Sequence, residues 1–435
     1  MVEFPNLFSP IRVNRIELKN RIVMTATHLG YNAPGGDVSD RLVGFYEERA
    51  KGGIGLIIVG GCPVDDHVSM RNMMRIDDDR YVAGLKRLTC TVKTAGAKIA
   101  AQIYQAGRYV HSSMIGGRTP FSASEVPSAL TGETPRALEL EEISLVQEKF
   151  AEAALRAKKA GFDAVEIHAA AGYLISQFLS PVTNKREDRY GGPIENRIRF
   201  GLEVVDRTRK AVGPDYPIVV RLSGHEFMNR GNGGREAKRF AKALEEAGCD
   251  LLNVTVGWHE SRVPQLTTFV PRGCFVYAAQ RIKSSVSIPV LACNRINDPP
   301  LAEAILQRGS ADMIAMTRAV IADPDFPNKA LGGKKNKIYH CVACNQGCFD
   351  NIFKSKPVAC LVNPRVGVEG ETRIVPSGNP KKIIIIGGGP AGMKAACTAA
   401  ERGHKVFLVE KSDRLGGQLL LNRNIPGREE MATVV

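Results

Sequence analysis

The chain has 435 residues, 44% hydrophobic and 24% charged, a composition that indicates two or three folded domains and excludes an intrinsically disordered protein. The net charge is +14, but Lys and Arg are interspersed with Asp and Glu, which argues against a protein that binds nucleic acid. The start of the sequence lacks a signal-peptide pattern and no apolar run is long enough to span a bilayer, so we expect a cytoplasmic protein without membrane contact.

Eight short apolar runs alternate with segments of helical periodicity over the first 335 residues. Runs that are apolar throughout are typical of parallel strands buried on both faces. Eight strand–helix pairs in succession predict an α/β fold with a TIM (β/α)8 barrel, and a doubly wound open sheet is the alternative. The predicted strands are residues 22–26, 56–60, 98–104, 164–168, 217–222, 250–256, 288–292 and 311–316.

Polar residues and glycines follow these strands, where barrel enzymes build their active sites. Two long insertions, residues 105–142 and 169–193, leave the same end and are expected to act as lids or binding loops. The residues that this position singles out are Thr27, His28, Gly60, Gln102, His168, Arg221, His259, Arg295, Thr317 and Arg318.

Arginines near three of the strand ends indicate an anionic cofactor. Arg295 and Arg318 follow the seventh and eighth strands, whose loops frequently hold a phosphate, so a phosphorylated cofactor such as FMN is expected. Arg221 at the barrel mouth would stabilise the negative charge of a reduced flavin ring. Salt bridges at the rim, and for Arg221 an internal carboxylate partner, are the alternatives.

Four of the ten cysteines crowd into one short segment with the spacing Cys341-x2-Cys344-x3-Cys348-x11-Cys360. Four thiolates so close in sequence can bind a metal, and a tight triple with a distant fourth favours a [4Fe–4S] cluster over a structural zinc. Such a cluster would pass single electrons, which implies a donor elsewhere. The remaining six cysteines are expected to be small core residues.

A glycine-rich motif follows a Pro/Gly/Ser linker near residue 378. Gly387, Gly389 and Gly392 fit the G-x-G-x-x-G pattern between a predicted strand and a helix, and Glu410 follows at the distance of a ribose-binding acid. This predicts the first part of a dinucleotide-binding domain. Its sheet would be incomplete at residue 435, and whether the chain is a fragment, was truncated or is completed by another chain is left open. The predicted domains are residues 1–335, 336–378 and 379–435.

Four segments carry a resemblance to a known family: FSPIRVNRIELKNRIVM, VEIHAAAGYLISQFLSPVTNKREDRYGG, NVTVGWHESRVPQLTTFVPRG and CNRINDP. The sequence resembles the old yellow enzyme superfamily, in its multidomain branch that contains 2,4-dienoyl-CoA reductase and trimethylamine dehydrogenase. The resemblance implies a [4Fe–4S] cluster on the four cysteines, FAD contacts at Glu410 and Gln418, and NAD(P)H as the electron donor. It also implies an FMN site formed by Ala26, Thr27, His28, Gln102, Arg221, Arg295, Thr317 and Arg318.

The implied reaction is reduction of the conjugated C=C bond of an enoyl substrate, which could be a CoA thioester. FMN would deliver hydride from N5, and Tyr173, aided by His259, would protonate the substrate. Simple family members use two side-chain donors that hold the substrate carbonyl. Here His168 is present, but the second position is Ala171, which makes ordinary enone reduction less expected.

Three other functions stay open from the sequence. They are an oxidative dehydrogenase of the trimethylamine dehydrogenase type, a reductase of enones or enoates that are not CoA esters, and an electron carrier that turns over no substrate. An aromatic cage for an alkylammonium group is not evident, since only 6% of residues are aromatic and Trp258 is the one tryptophan. The exact substrate, NADH or NADPH as donor, and the oligomeric state are not fixed by the sequence.

Overall fold

The computed structural model describes residues 3–434. Its largest unit is a closed barrel of eight parallel strands that follow one another around the barrel in chain order. The predicted TIM barrel is therefore confirmed, with strand ends that shift by at most three residues. The strands are β1 (Ile11–Val13), β2 (Ile16–Leu18), β3 (Ile22–Met24), β4 (Leu56–Pro63), β5 (Lys98–Tyr104), β6 (Phe121–Ser122), β7 (Arg136–Ala137), β8 (Ala164–Ala169), β9 (Ile218–Ser223), β10 (Leu251–Thr255), β11 (Val290–Ala292), β12 (Met313–Ala315), β13 (Lys382–Ile386) and β14 (Lys405–Val409).

The helices of the barrel domain surround the strands and bury apolar residues against them. Local signals set their ends: Ser39 caps α1 by accepting a hydrogen bond from the Leu42 amide, and Asp298 caps α9 in the same way through Leu301. The helices are α1 (Asp40–Lys51), α2 (Val82–Thr94), α3 (Leu140–Lys159), α4 (Leu174–Leu179), α5 (Ile194–Arg197), α6 (Arg199–Val212), α7 (Gly234–Glu246), α8 (Val276–Lys283), α9 (Pro299–Gln307), α10 (Thr317–Ala322), α11 (Phe326–Leu331), α12 (Phe349–Phe353), α13 (Pro390–Glu401) and α14 (Leu419–Asn422).

The barrel interior is a separate apolar cluster at the amino-terminal end of the strands. It is made of strand residues such as Val23, Leu56 and Leu251, and it is closed by Val13 and Leu18 of the antiparallel hairpin β1–β2. Because this end is filled with apolar side chains, the space for ligands lies at the opposite, carboxyl-terminal end. Within residues 3–434, none of the helices has the length and apolar composition needed to cross a membrane.

The cysteine-rich segment packs against the barrel loops at that carboxyl-terminal end. The Tyr31 hydroxyl donates to the Val358 carbonyl at 2.6 Å, and the Asn297 side chain donates to the Cys341 carbonyl, also at 2.6 Å. Farther along, Glu369 pairs with Arg49 of α1, and both side chains are buried. These contacts hold the four cysteines beside the mouth of the barrel.

The carboxyl-terminal unit is a strand–helix–strand element formed by β13, α13 and β14. The two strands pair in parallel, from Lys382 with Lys405 to Ile386 with Val409. Alternate residues of both strands are exposed, and 88% of the surface of Ile386 is accessible. This unit has the order expected for the start of a dinucleotide-binding fold.

Candidate functional site

A cleft of about 520 Å³ opens at the carboxyl ends of the barrel strands. Its wall comes from the ends of β3, β9, β11 and β12, and it includes the predicted residues Arg221, Arg295, Thr317 and Arg318. Four residues that were predicted separately along the sequence therefore meet in one cavity. Thr317 is held there by Thr25, since the two hydroxyl oxygens lie 2.8 Å apart.

Arg221 points a guanidinium at this cleft from β9. One of its nitrogens donates to Asn253 Oδ1 at 3.3 Å, and Asn253 in turn donates to the carboxylate of Glu166 at 2.6 Å. Gln102, at the end of β5, donates to the other carboxylate oxygen, also at 2.6 Å. The sequence anticipated Arg221 and Gln102 at this site but not the buried Glu166 and Asn253 that connect them.

The other two arginines already have protein partners. Arg295 forms an ion pair with Glu430 at 2.5 Å and donates to the Val270 carbonyl. Arg318 donates to the Leu266 carbonyl at 2.6 Å and to Asn345 Oδ1 at 3.0 Å. A phosphate at this end of the cleft would therefore meet a positively charged wall, but the Arg295 guanidinium would have to share or leave Glu430.

The remaining predicted cofactor contacts lie at the carboxyl ends of the first two barrel strands, β3 and β4. Ala26, Thr27 and His28 follow β3 and are half-buried, and burial lowers the pKa of His28 to about 4, so its imidazole is neutral near pH 7. Gly60 has a φ of +119°, and a Cβ there would lie 2.8 Å from the Gln102 carbonyl oxygen. Both the backbone angle and the close approach require glycine at this position.

The predicted catalytic pair, Tyr173 and His259, meets above the mouth of the barrel. His259 Nε2 lies 3.2 Å from the Tyr173 hydroxyl, although the two residues are 86 positions apart. Tyr173 begins α4 after the β8 turn, and His259 lies in the loop that follows β10. The ring centroids of His168 and Tyr173 are 4.8 Å apart, so the predicted substrate contact belongs to the same cluster.

Desolvation at the mouth keeps these three side chains in their neutral forms. It raises the pKa of Tyr173 to about 12, and the nearby positive charge of Arg221 opposes the rise. It lowers the pKa of His168 well below its ordinary value. It also lowers the pKa of His259, although part of the His259 residue is exposed to solvent. Near pH 7 the site thus holds an intact phenol, which can give up a proton, beside two uncharged imidazoles.

The protonation of His168 is set by its backbone surroundings. Its Nδ1 accepts a hydrogen bond from the Ala170 amide at 3.3 Å, so the ring proton of the neutral imidazole is on Nε2. Ala171, where a second donor was expected by resemblance to simpler family members, has a φ of +60° and no polar side chain. His168 therefore offers one N–H, while position 171 offers no side-chain donor.

The long insertion after β5 covers one side of this cluster. Arg108 of this insertion forms a buried ion pair with Glu260, next to His259, and the Tyr109 hydroxyl donates to the same carboxylate at 2.8 Å. The Tyr109 and Tyr173 ring centroids lie 5.9 Å apart, and Tyr104 approaches Tyr173 to 5.0 Å. The sequence predicted the insertion but not the group of three tyrosines.

The four cysteines line a second cavity beside the first. Arg318 and Cys341 form part of the wall of both cavities. Within residues 3–434, three possible metal-binding atoms approach within 4.8 Å of one another only at Asp65, Asp66 and His67, so no three cysteine sulfurs are that close. Tetrahedral zinc with bonds of about 2.3 Å would need closer sulfurs than these. The cavity is lined by Cys341, Cys344, Cys348 and Cys360.

The glycine motif forms the turn from β13 into α13. Gly387 has a φ of +100°, Gly389 caps the helix, and a Cβ on Gly392 would lie 1.9 Å from the Gly387 carbonyl oxygen. Glu410, directly after β14, accepts a hydrogen bond from the Gly388 amide at 2.6 Å, and such backbone bonds lower its pKa to about 2. Gln418 precedes α14. The backbone amides and a charged acid thus lie where a dinucleotide would bind.

Comparison with known proteins identifies two family models. The model of the NADH:flavin oxidoreductase / NADH oxidase family matches residues 6–337, and that of the FAD dependent oxidoreductases matches residues 382–421. Two curated relatives are a metal reductase of Desulforamulus reducens, 54% identical over 98% of this chain, and a cinnamate reductase of Clostridium sporogenes, 36% identical over 96%. The chain spans 63% and 66% of their respective lengths.

A solved structure of 2-naphthoyl-CoA reductase in complex with 2-naphthoyl-CoA is also similar. It superposes with a TM-score of 0.96 at 35% sequence identity, over 99% of this chain and 68% of the other. The likeness therefore includes the barrel, the cysteine-rich segment and the carboxyl-terminal unit.

Proposed function

Since the chain belongs to the NADH:flavin oxidoreductase / NADH oxidase family, we propose that it reduces the conjugated C=C bond of an enoyl substrate with FMN in the barrel. The observation that carries the proposal is the contact of 3.2 Å between the Tyr173 hydroxyl and His259 Nε2 above the cofactor cleft. The reductases of cinnamate and of 2-naphthoyl-CoA support the same reaction class, because both named substrates hold unsaturated carbon conjugated to an acyl group.

The residues of the cleft fit FMN. Arg221 offers a cation from β9, while Arg318, Arg295 and the Thr317 hydroxyl, which follow β11 and β12, offer donors for a phosphate, charge-assisted in the two arginines. Gln102 has its amide nitrogen bound to Glu166, so its carbonyl oxygen is the group left to meet a ring N–H. When bound, FMN would supply a hydride from N5 to the substrate.

The side chains above the cleft would orient the substrate and supply the proton. His168 Nε2–H would donate to the acyl carbonyl oxygen, where negative charge develops. The Tyr173 hydroxyl would give its proton to the α-carbon. If His259 carries its ring proton on Nε2, it donates to the phenol oxygen and stabilises the charge that remains there.

Electrons would reach the barrel through the two other units. We propose NAD(P)H as the donor, with FAD on the motif of Gly387, Gly389 and Gly392 and a [4Fe–4S] cluster on the four cysteines. The common wall of the two cavities, formed by Arg318 and Cys341, supports transfer between the cluster and the flavin. Cys348 and Cys360 complete the ligand set with Cys341 and Cys344.

The direct test uses protein reduced anaerobically with dithionite. We expect a 2,4-dienoyl-CoA, or cinnamate as a substrate that is not a CoA ester, to restore the oxidised flavin absorbance at about one equivalent. A saturated acyl-CoA of the same length is the control and should leave the flavin reduced. If neither unsaturated compound reoxidises a flavin that dithionite has fully reduced, the proposed reaction is wrong.

A second candidate, oxidation of an amine, is favoured by Tyr104, Tyr109 and Tyr173, whose rings pack together at the mouth. Clustered aromatic faces attract alkylammonium groups. Under this alternative an amine such as dimethylglycine would bleach the oxidised flavin without any nucleotide. The same spectrophotometer cell distinguishes the two reactions, because they change the flavin absorbance in opposite directions.

The pKa values predict how the oxidative half-reaction depends on pH. Tyr173 acts in its protonated form, and its pKa is raised to about 12, so the rate constant should stay level through pH 9 and fall only near that pKa. His259 acts in its neutral form, and its lowered pKa moves any acid loss below the ordinary histidine range. We measure the reoxidation rate constant by stopped flow between pH 5 and 11, and we expect it to be level from neutral pH through pH 9. A bell centred near neutral pH would contradict it.

A further inference from the structure

A carboxylate lies fully buried in the barrel wall beneath the cofactor cleft. Glu166 occupies the middle of β8, and none of its surface is accessible to solvent. Its Oε1 accepts from Gln102 Nε2 and its Oε2 from Asn253 Nδ2, both at 2.6 Å. An unpaired carboxylate at such depth would be costly, so the groups around it must compensate its charge.

The partners of Asn253 fix which side of its amide faces Glu166. Asn253 Oδ1 accepts hydrogen bonds from Arg221 at 3.3 Å and from the Cys293 thiol at 2.9 Å, so its amide nitrogen must face Glu166. Glu166 Oε2 therefore accepts from an N–H group, which favours the ionised form of this carboxyl. Burial raises the pKa of Glu166, and the positive charge of Arg221 opposes that rise.

The orientation of Gln102 follows from the same carboxylate. A carboxylate can only accept hydrogen bonds, so it selects the NH2 side of the Gln102 amide and turns Oε1 away from itself. Within residues 3–434, the side-chain hydrogen bond of Gln102 is the one that its Nε2 donates to Glu166, and Oε1 accepts none. Glu166 therefore fixes the acceptor atom that Gln102 presents. Through Asn253 it also positions the Arg221 guanidinium, and its negative charge offsets the positive charge there.

We infer that Glu166 is a positioning residue for the flavin: it sets the amide orientation of Gln102, anchors Arg221 through Asn253, and lowers the flavin reduction potential by partly neutralising the Arg221 charge. This inference rests on the proposed FMN site. A reduced flavin ring carries negative charge, so an uncompensated Arg221 would stabilise it more than the Arg221–Glu166 pair does.

The test replaces Glu166 with glutamine, which has the same shape but no charge. For Glu166→Gln we expect a flavin midpoint potential more positive than that of the unmodified protein, measured by anaerobic spectroelectrochemical titration. We also expect the FMN dissociation constant to rise about tenfold, because an amide cannot accept from both Gln102 and Asn253. Fluorescence titration of deflavinated protein with FMN measures that constant.

Glu203→Gln is the matched control. Glu203 of α6 also accepts two side-chain hydrogen bonds, from Gln147 and Tyr190, but it lies outside the cleft. The Glu203→Gln substitution should leave both the flavin midpoint potential and the FMN affinity unchanged. A Glu166→Gln protein with the potential and affinity of the unmodified protein, or with a more negative potential, would overturn the inference.

Glu166→Asp keeps the inference testable if the glutamine variant does not fold. Aspartate retains the charge but is too short to reach both amides, so FMN should bind more weakly while the potential stays near its original value. A potential raised by the aspartate substitution would refute the charge effect. If the unmodified protein binds no FMN at all, it is the proposed function that fails, and the two failures are thus distinguishable.

Discussion

Replacing Tyr173 with phenylalanine is expected to slow reoxidation of the reduced flavin by an enoyl substrate by about 10²–10⁴-fold. The substitution removes the hydroxyl 3.2 Å from His259 Nε2 and keeps the ring that packs on His168 and Tyr104. Transfer of electrons into the flavin involves no proton from Tyr173, so its rate should not change. Stopped-flow measurement of the two half-reactions separates these effects.

Tyr104→Phe is the control for this experiment. Its hydroxyl lies 2.8 Å from the Ser69 hydroxyl, and its ring contacts Tyr173, so the change removes a neighbouring phenol from the same cluster. We expect less than a tenfold effect on reoxidation, since the partners of that hydroxyl are Ser69 and the Met73 sulfur and not His259. Equal losses in both variants, or none in Tyr173→Phe, would contradict the assignment of Tyr173 as proton donor.

Replacing Cys348 with alanine is expected to abolish turnover driven by NAD(P)H and to leave reoxidation after dithionite reduction intact. A [4Fe–4S] cluster needs four thiolates, and Cys348 is one of the four that line the second cavity. Without the cluster, electrons from a nucleotide would have no path to the barrel, whereas dithionite reduces the flavin directly. Iron and sulfide analysis and low-temperature EPR of the reduced protein report the cluster itself.

Cys397→Ala is the corresponding control, because Cys397 is exposed on the carboxyl-terminal unit. The prediction that all six other cysteines are core residues was wrong for Cys90, Cys274 and Cys397, which are exposed. It should keep both the iron content and the nucleotide-driven activity. Zinc instead of iron in the unmodified protein would refute the cluster. Full NAD(P)H turnover by a Cys348→Ala protein that lacks iron would refute the proposed path.

The barrel was predictable because its strands are buried on both faces. The segment Lys98–Tyr104 is buried after its first residue and is apolar apart from Lys98 and Gln102, and the sequence locates both of its ends. The carboxyl end of β4 was harder to find, since the strand continues to Pro63 past Gly60, where the apolar pattern stops. The short pair β6 and β7 inside the first insertion has two residues in each strand, too few for any periodicity.

Individual site residues were predictable where they lie at a strand end. Contacts between residues far apart in the sequence were not. Gln102 and Arg221 were found from their positions, whereas Glu166 was missed although it also interrupts an apolar strand. Matching that buried acid to the half-buried Arg221 would have found it, but the link runs through Asn253 and not through a direct ion pair. The contact of Arg295 with Glu430 joins residues far apart in sequence, and no local pattern reports it.

The residues that would hold the cofactor and those that would act on the substrate lie on different kinds of structural element. Gln102, Glu166 and Arg221 are borne by barrel strands, while Tyr173 and His259 are borne by loops that follow β8 and β10. Loops tolerate insertion and exchange far better than strands, whose side chains pack on both faces. Evolution can therefore replace the substrate-facing half of such a site and retain the flavin-facing half. One ancestral barrel of this kind could give rise to enzymes with dissimilar substrates without having to reinvent its redox chemistry.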